Sequence, residues 1–104
     1  MMAATVDGVR DALRENVFDP EIGVNIVDLG LVYDIQVPDG KLVDLKMTLT
    51  SPGCPIGPQI IRGVQTSVQQ AYPDLEAINV HIVWDPLWDP EMMSQDAKDA
   101  LGFY

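Results

Sequence analysis

Three prolines and two glycines fall close together near the middle of the chain, in residues 48–58 (TLTSPGCPIGP). Each proline fixes its own φ and keeps the preceding residue out of the helical region, so the segment predicts a stiff loop. An alternating apolar pattern leads into the loop and an apolar pattern with helical spacing leaves it, which indicates a strand followed by a helix. Pro58 suits the first position of this helix with Gly57 as its cap. If Pro55 comes first instead, Cys54 is the cap.

Cys54 is the only cysteine in the chain. In either arrangement its thiol lies near free backbone N–H groups and the positive end of a helix, and both favour the thiolate. The sequence therefore predicts a reactive or metal-binding sulfur, with a pKa below the ordinary thiol value of about 8.5. The alternative is a buried free cysteine that acts as a small apolar residue.

The composition bounds the kind of protein this chain can be. A length of 104 residues predicts one domain, spanning residues 1–104, with one core. Sixteen acidic residues against six basic ones repel phosphates, so we expect no nucleic-acid or membrane partner. No apolar run approaches the roughly 20 residues of a membrane span, and the N-terminus does not resemble a signal peptide. A single cysteine permits no intrachain disulfide, which favours a cytoplasmic location.

The apolar periodicity predicts the element order α-β-β-α-β, followed by a short C-terminal helix. Such an order favours an α/β (α+β) fold, in which a three-stranded mixed sheet carries its helices on one face. The predicted elements are a first helix capped by Thr5, strands at 31–37 and 41–49, a helix at 58–72, a strand at 77–85, and a last helix capped by Ser94 and ended by Gly102.

The same periodicity assigns side chains to the core or to the surface. Thr48 shares the outward parity of Asp44 and Lys46, and His81 is expected on the strand surface rather than in a ligand set. The side chains expected in the core are those of Leu31, Tyr33, Ile35, Val37, Val43, Leu45, Met47, Leu49, Ile60, Ile61, Val64, Val68, Ala71, Ile78, Val80, Ile82 and Trp84.

A long loop at residues 18–30 precedes the first predicted strand, and ordered loops of this length in small domains are often functional. The loop carries three carboxylates, Asp19, Glu21 and Asp28. Asp28 stands between two apolar residues, where a buried carboxylate needs a partner. The loop is therefore a candidate site, although a structural role for Asp28 remains open.

Three sequence blocks together resemble the iron–sulfur cluster assembly domain family, the group that contains SufT and the PaaD-type proteins. These blocks are DPEIGVNIVDLGLVYDI, MTLTSPGCP and a tail of the form W-x-P-E-M-M-S-x-x-A-x-x-x-L-G-F. The resemblance covers nearly the whole chain. It implies an α/β fold with a cysteine loop beside the D-P-E loop, and an accessory role in maturing or delivering iron–sulfur clusters. Position by position, it implies Asp19, Glu21, Asp28, Thr50 and Cys54 as site residues.

Two departures from the family pattern favour a stand-alone SufT-like factor. PaaD-type proteins carry a further cysteine-rich part, and some relatives are fused to an ATPase, whereas this chain shows neither. The resemblance implies no tightly bound cofactor in the isolated chain, only transient iron or an iron–sulfur cluster at Cys54. It implies a scaffold, a carrier or client apoproteins as partners, and a factor without turnover of its own. The alternatives are a small enzyme with Cys54 as nucleophile and Asp28 or Glu21 as base, or a PaaD-like adaptor subunit.

Two structural expectations follow from the resemblance. Since one cysteine cannot hold a cluster, a homodimer with two thiolates is predicted, joined through an edge strand at 41–49 or through the tryptophan-rich tail. Asp28 is expected to accept hydrogen bonds from the backbone of residues 50–54 or to bond Thr50. That arrangement would hold the loop so that Cys54 faces solvent or a partner.

Overall fold

The computed structural model describes residues 3–20, 22–50 and 55–102 of the chain. The order of its helices and strands confirms the predicted α-β-β-α-β order with a short terminal helix. The elements are α1 (Val6–Asn16), β1 (Val32–Gln36), β2 (Leu42–Met47), α2 (Gly57–Ala71), β3 (Ala77–Ile82), a 3-10 turn (Pro90–Met92) and α3 (Gln95–Leu101).

The predicted caps of the first and last helices are confirmed. Thr5 accepts a hydrogen bond from the Gly8 N–H at 3.0 Å, and Ser94 accepts one from the Ala97 N–H at 3.2 Å. Gly102 ends α3 with φ of 78°, a left-handed conformation that glycine adopts readily. These ends were predictable because each depends on residues within one turn of the helix.

The sheet has the order β1-β2-β3, with β1 antiparallel and β3 parallel to β2. This confirms the predicted three-stranded mixed sheet. It also corrects one expectation, because residues 41–49 do not form an edge. In the described ranges β2 is the central strand, hydrogen-bonded on both sides, and the edges are β1 and β3.

The core lies between the sheet and the first two helices. Helix α1 contacts β1, α2 contacts β3, and the two helices contact each other. From β2 the core receives Val43, Leu45 and Met47, which are fully buried as predicted, and Leu49 just beyond the strand is also buried. The alternating pattern of this strand was a reliable guide because β2 is hydrogen-bonded on both sides, so that the sheet fixes which of its faces meets the core.

Three predicted positions are wrong, and each error has a non-local cause. Trp84 is 39% exposed, because β3 ends at Ile82 and the chain leaves the sheet before the tryptophan. Ala71 is exposed, and Ser67 takes the buried face of α2, where its hydroxyl donates to the Ala12 carbonyl at 3.1 Å.

Thr48 is the third error. It is fully buried, although its parity matches the outward Lys46. Its N–H donates to the Leu31 carbonyl at 2.8 Å, and the Tyr33 side chain lies beside it. Since β2 has already ended at Met47, the parity of the strand no longer decides where this side chain points.

Among the helices of the described ranges, none combines the length and the apolarity that crossing a membrane requires.

Candidate functional site

Three segments converge at one end of the sheet. Because β2 and β3 are parallel, their C-terminal ends lie together, and the antiparallel β1 places its N-terminal end there too. The Thr48 N–H donates to the Leu31 carbonyl at 2.8 Å, and the Val83 N–H donates to the Met47 carbonyl at 2.9 Å. The loop that enters β1, the loop that leaves β2 and the tail that leaves β3 therefore meet at this end, which we call the loop end.

The cysteine loop spans the gap between β2 and α2. Cys54, the main candidate from the sequence, lies outside the described residues. On one side of the gap Thr50 is half-buried, and on the other side Pro55 is exposed. The two ends of the loop are close together, since a Cβ added to Gly57 would lie 2.8 Å from the Leu49 Cδ1.

Helix α2 begins with Ile56 as its N-cap and Gly57 as its first residue, which differs from both predicted starts. Pro58 lies in the first turn, so the helix begins one residue earlier than its proline suggests. The Ile56 cap supplies no side-chain hydrogen bond, and the first turn contains no acidic residue. The positive end of α2 thus lies at the loop end, two residues after Cys54 in sequence, without a carboxylate of its own to offset it.

Asp19 shapes the first turn of the loop at residues 18–30. Its side chain is 2% exposed and accepts a hydrogen bond from the Ile22 N–H at 3.3 Å. Its backbone N–H donates to the Val24 carbonyl at 3.0 Å, and its carbonyl accepts from the Gly23 N–H at 2.7 Å. Glu21, the second carboxylate that the sequence singled out, lies outside the described residues.

Asp28 is held by the residues around it. Its Oδ2 accepts from the Asn25 Nδ2 at 2.6 Å, its N–H donates to the Asn25 Oδ1 at 2.8 Å, and its Oδ1 lies 3.8 Å from the Arg14 Nε. Of the two expected partners, Thr50 is therefore not bonded to this carboxylate, and the backbone of residues 51–54 lies outside the described residues. The sequence reasoning missed Asn25, although the N-x-x-D spacing of an Asx turn would have suggested it.

The tail that follows β3 packs onto the loop at residues 18–30. The Ser94 N–H donates to the Asp28 carbonyl at 2.7 Å, and the Trp88 Nε1 donates to the Leu29 carbonyl at 2.7 Å. Gly30 has φ of 79°, and a Cβ there would collide with the Met92 carbonyl oxygen. The tail therefore fixes the loop from outside, through backbone groups that no sequence pattern identifies.

The tail also exposes apolar side chains at the loop end. Trp84 is 39% exposed, Leu87 63% and Met92 36%, and we call these three residues the tail patch. The Tyr33 hydroxyl ties this segment to β1, because it donates to the Pro86 carbonyl at 2.8 Å and lies 3.5 Å from the Met92 sulfur. Burial raises the pKa of Tyr33, and a hydrogen bond with the Thr48 side chain partly offsets the rise.

The described side chains do not form a metal site by themselves. Within residues 3–20, 22–50 and 55–102, no three histidine, cysteine, aspartate or glutamate side chains come together to hold an ion. His81 is on the exposed strand surface, as predicted, with its Nε2 3.6 Å from the Asp44 Oδ1.

Comparison with known proteins decides the family. The profile of the iron–sulfur cluster assembly protein family matches residues 7–82 of this chain. The chain belongs to this family. The matched range contains the loop at residues 18–30, the cysteine loop and the whole sheet, and it ends where β3 ends.

Curated relatives and a solved structure agree with this membership. The chain is 51% identical to "Fe-S protein maturation auxiliary factor SufT" of Staphylococcus aureus over 83% of its own length and 97% of the relative's. It is 45% identical to the auxiliary factor YitW of Bacillus subtilis over 90% of its own length and 98% of the relative's. A crystal structure of a domain of unknown function from Bacillus anthracis superposes with a TM-score of 0.87 at 40% identity, covering 94% of this chain and 92% of that one.

The tail that follows β3 lies outside the residues that the profile of this iron–sulfur cluster assembly protein family matches. The profile stops at Ile82, whereas the YitW match extends over 101 residues. The tail patch and the bonds from Trp88 and Ser94 therefore lie beyond the part that defines the family.

Proposed function

We propose that this chain is an auxiliary factor in the maturation of iron–sulfur proteins, and that it acts through Cys54. In this proposal Cys54 transiently ligates iron or an iron–sulfur cluster as cargo, or engages the carrier or client that exchanges it. The relatives whose full length this chain nearly covers are named as maturation auxiliary factors. The observation that carries the proposal is the loop end, where the cysteine loop, the loop at residues 18–30, the tail and the start of α2 converge.

The local electrostatics support a thiolate at this position. The N-cap of α2, Ile56, lies two residues after Cys54 in the sequence and offers no side-chain hydrogen bond to the helix. The first turn of the helix carries no acidic residue. A helix N-terminus stabilises negative charge nearby, and thiolate rather than thiol is the form that binds iron. Two carboxylates of the neighbouring loop lie in the described ranges, and both are engaged locally, Asp28 with Asn25 and Asp19 within its own turn.

A single cysteine suits transfer better than storage. Iron–sulfur clusters are generally held by four protein ligands, and this chain contributes one thiolate. The remaining ligands must come from a partner or from small thiols, so the cargo is bound incompletely. A client with a full ligand set then takes the cluster because it replaces the weaker ligands.

The tail patch supplies a surface for such a partner. Its exposed apolar side chains lie in the same short segment as the carboxylates of Asp85, Asp89 and Glu91. A segment that exposes both apolar side chains and carboxylates complements a protein surface that combines apolar residues with lysine and arginine. The partner would then contact the loop end, beside the cysteine loop.

Anaerobic reconstitution tests the role of Cys54. Wild type, Cys54→Ser, and a Cys54→Ser/Ala77→Cys variant are incubated with ferrous iron, sulfide and a small thiol, desalted, and compared by absorption spectroscopy. The third variant keeps one thiol per chain but moves it to an exposed position on β3. We expect iron–sulfur absorption in the wild type alone. Equal absorption in Cys54→Ser would contradict the proposal, and absorption in the moved-thiol variant would show that position does not matter.

A further inference from the structure

The edge of β3 that faces away from β2 is open. Among the described residues, β3 pairs with β2 alone. The Val83 N–H donates to the Met47 carbonyl, whereas the Thr48 N–H turns to Leu31, on the β1 side. Backbone groups alternate in direction along a strand, so the odd-numbered residues of β3 face β2. The N–H and C=O groups of Ile78, Val80 and Ile82 therefore point outward, as a template for another strand.

This edge lacks the features that usually protect one. Strand β3 (AINVHI) contains no proline, lysine or acidic residue, and its register with β2 runs without a bulge. The side chains of Ile78, Val80 and Ile82 are only partly buried on the helix side of the sheet. Beside them an open groove of about 450 Å³ separates β3 from α2, and its walls carry the amides of Gln65, Gln69 and Gln70 and the carboxylate of Glu76.

The two elements that border this groove carry no acidic residue of their own. The chain has 16 acidic residues and a net charge of −10, yet neither α2 nor β3 contains one. The carboxylates nearest to the edge are those of Glu76, which lines the groove, and Asp44 of β2, which contacts Asn79 and His81. Any second copy of the chain carries the same excess of negative charge. Mutual repulsion between two copies is therefore weaker at the face formed by α2 and β3, the two elements that contribute no carboxylate.

We propose that β3 pairs with β3 of a second copy of this chain, antiparallel, about a two-fold axis at Val80. The outward backbone groups then form hydrogen-bonded pairs of Val80 with the partner's Val80 and of Ile78 with the partner's Ile82. On the helix side these are apolar, β-branched cross-strand pairs. On the other side Asn79 lies opposite the partner's His81, a pair that joins an amide to an imidazole.

The pairing joins the two sheets into one with six strands and sets the two α2 helices on the same face. The glutamine side chains that line the groove of one copy then lie beside those of the other, where amides can donate to and accept from each other. This interface replaces the expected contact through residues 41–49, which the central position of β2 excludes.

The antiparallel pairing also separates the loop ends of the two copies. The loop end lies at the C-terminal end of β3, and antiparallel strands run in opposite directions, so the two loop ends lie at opposite ends of the dimer. Two Cys54 thiolates cannot meet across this interface. Each Cys54 would therefore act without the Cys54 of the partner. The proposed dimer does not depend on the proposed function.

Cross-linking tests the register. In a Cys54→Ser background, Val80→Cys places two sulfurs opposite each other across the axis, with a Cα separation of about 5.5 Å that a disulfide can span. The matched control is Ala77→Cys, since residue 77 lies about 20 Å along the strands from its own counterpart. Mild oxidation should give a cross-linked dimer for Val80→Cys and little for Ala77→Cys. Equal yields in the two variants would overturn the proposal.

Sedimentation equilibrium tests the association without cross-linking. We expect a monomer–dimer equilibrium that shifts toward dimer between about 0.1 M and about 1 M salt, because the Debye length falls from about 10 Å to about 3 Å and screens the mutual repulsion. Val80→Pro removes an outward N–H that does not bond β2 and should abolish the dimer, whereas Val80→Ala keeps the N–H and should retain it. A wild type that is monomeric under all these conditions would overturn the proposal, and so would a dimer unaffected by Val80→Pro.

Discussion

At the level of single residues, the contacts of Asp28 in the described part of the chain favour a structural role. Its side chain accepts from the amide of Asn25, which is nearly buried, and lies near the half-exposed Arg14. Its own carbonyl receives the Ser94 N–H. The carboxylate of Asp28 thus holds the loop to itself and to α1, and its backbone carbonyl holds the loop to the tail. These contacts fit the expectation of a structural role better than that of a base.

Replacing Asp28 should therefore lower stability. We expect Asp28→Ala to lower the free energy of unfolding by about 1–3 kcal/mol, because the Asn25 amide loses its partner in a buried position. The control is Arg14→Gln, which removes only the partly exposed ion pairs of Arg14 with Asp11 and Asp28 and should cost less than about 1 kcal/mol. Urea denaturation of the three proteins measures both. The account of Asp28 fails if Asp28→Ala costs no more than Arg14→Gln.

The reactivity of Cys54 is a second prediction at this scale. We expect its alkylation rate to rise with pH through an inflection below the ordinary thiol value of about 8.5, because the N-terminus of α2 favours the thiolate. Rates with iodoacetamide across the pH range measure this, with the cysteine of Cys54→Ser/Ala77→Cys as a reference thiol on an exposed strand. An inflection no lower than that of the reference would remove the argument for an activated sulfur.

At the level of elements, the tail and the loop at residues 18–30 form one unit. Gly30 shows how closely they meet, since its left-handed φ and the Met92 backbone above it both exclude a side chain. Trp88 adds a hydrogen bond from its Nε1 to the carbonyl of Leu29, the residue before Gly30. The position of the loop therefore depends on a segment that follows it by about sixty residues in the chain.

Gly30→Ala should be more damaging than a comparable change elsewhere. Gly23 has nearly the same φ, 81°, but nothing lies within 4 Å of the Cβ position. We expect Gly23→Ala to cost about 1–2 kcal/mol from backbone strain alone. Gly30→Ala should cost about 1–3 kcal/mol more, because the tail must move. Thermal and urea unfolding of both variants give the difference, and equal costs would show that the tail does not hold the loop.

The sequence predicted those elements whose cause is local. Thr5, Ser94 and Gly102 fix helix ends through bonds within a single turn, and the alternation in β2 predicted its buried side chains. Trp84 and Thr48 were misplaced because each lies just beyond the end of a strand, where the strand's parity no longer applies. The central position of β2 also escaped prediction, since strand order depends on pairing between distant segments.

The candidate site was predictable in part. The resemblance brought the loops at residues 18–30 and 48–58 together, and the sheet topology places both at the loop end. The partner of Asp28 was not found, because Asn25 carries no charge and attracts notice only as a turn residue. Nor did the sequence reveal the hydrogen bonds that Ser94 and Trp88 donate to the loop. Their acceptors are backbone carbonyl groups, which every residue has.

At the level of the whole molecule, the loop end gathers the cysteine loop, the tail patch and the acidic side chains of the tail. We expect Leu87→Glu to weaken the association with client proteins, because it places a charge in the apolar centre of the patch. Leu87 is 63% exposed, so stability should change by no more than about 0.5 kcal/mol.

The matched control is Gln36→Glu, which adds the same charge at an exposed position on β1, at the far end of the sheet. Affinity purification from the native host, followed by mass spectrometry for iron–sulfur proteins, measures the association. Recovery of the same iron–sulfur proteins with Leu87→Glu as with Gln36→Glu would show that the tail patch is not the partner surface.

The family membership and the position of the cysteine loop make one claim central, that this chain matures iron–sulfur proteins through Cys54. The most direct measurement is the activity of iron–sulfur enzymes in a host strain that lacks this protein and receives either the wild type or a variant. The account predicts that the wild type restores the activity, and that Cys54→Ser and Cys54→Ser/Ala77→Cys do not, although both accumulate to the wild-type level. Full restoration by Cys54→Ser would contradict it.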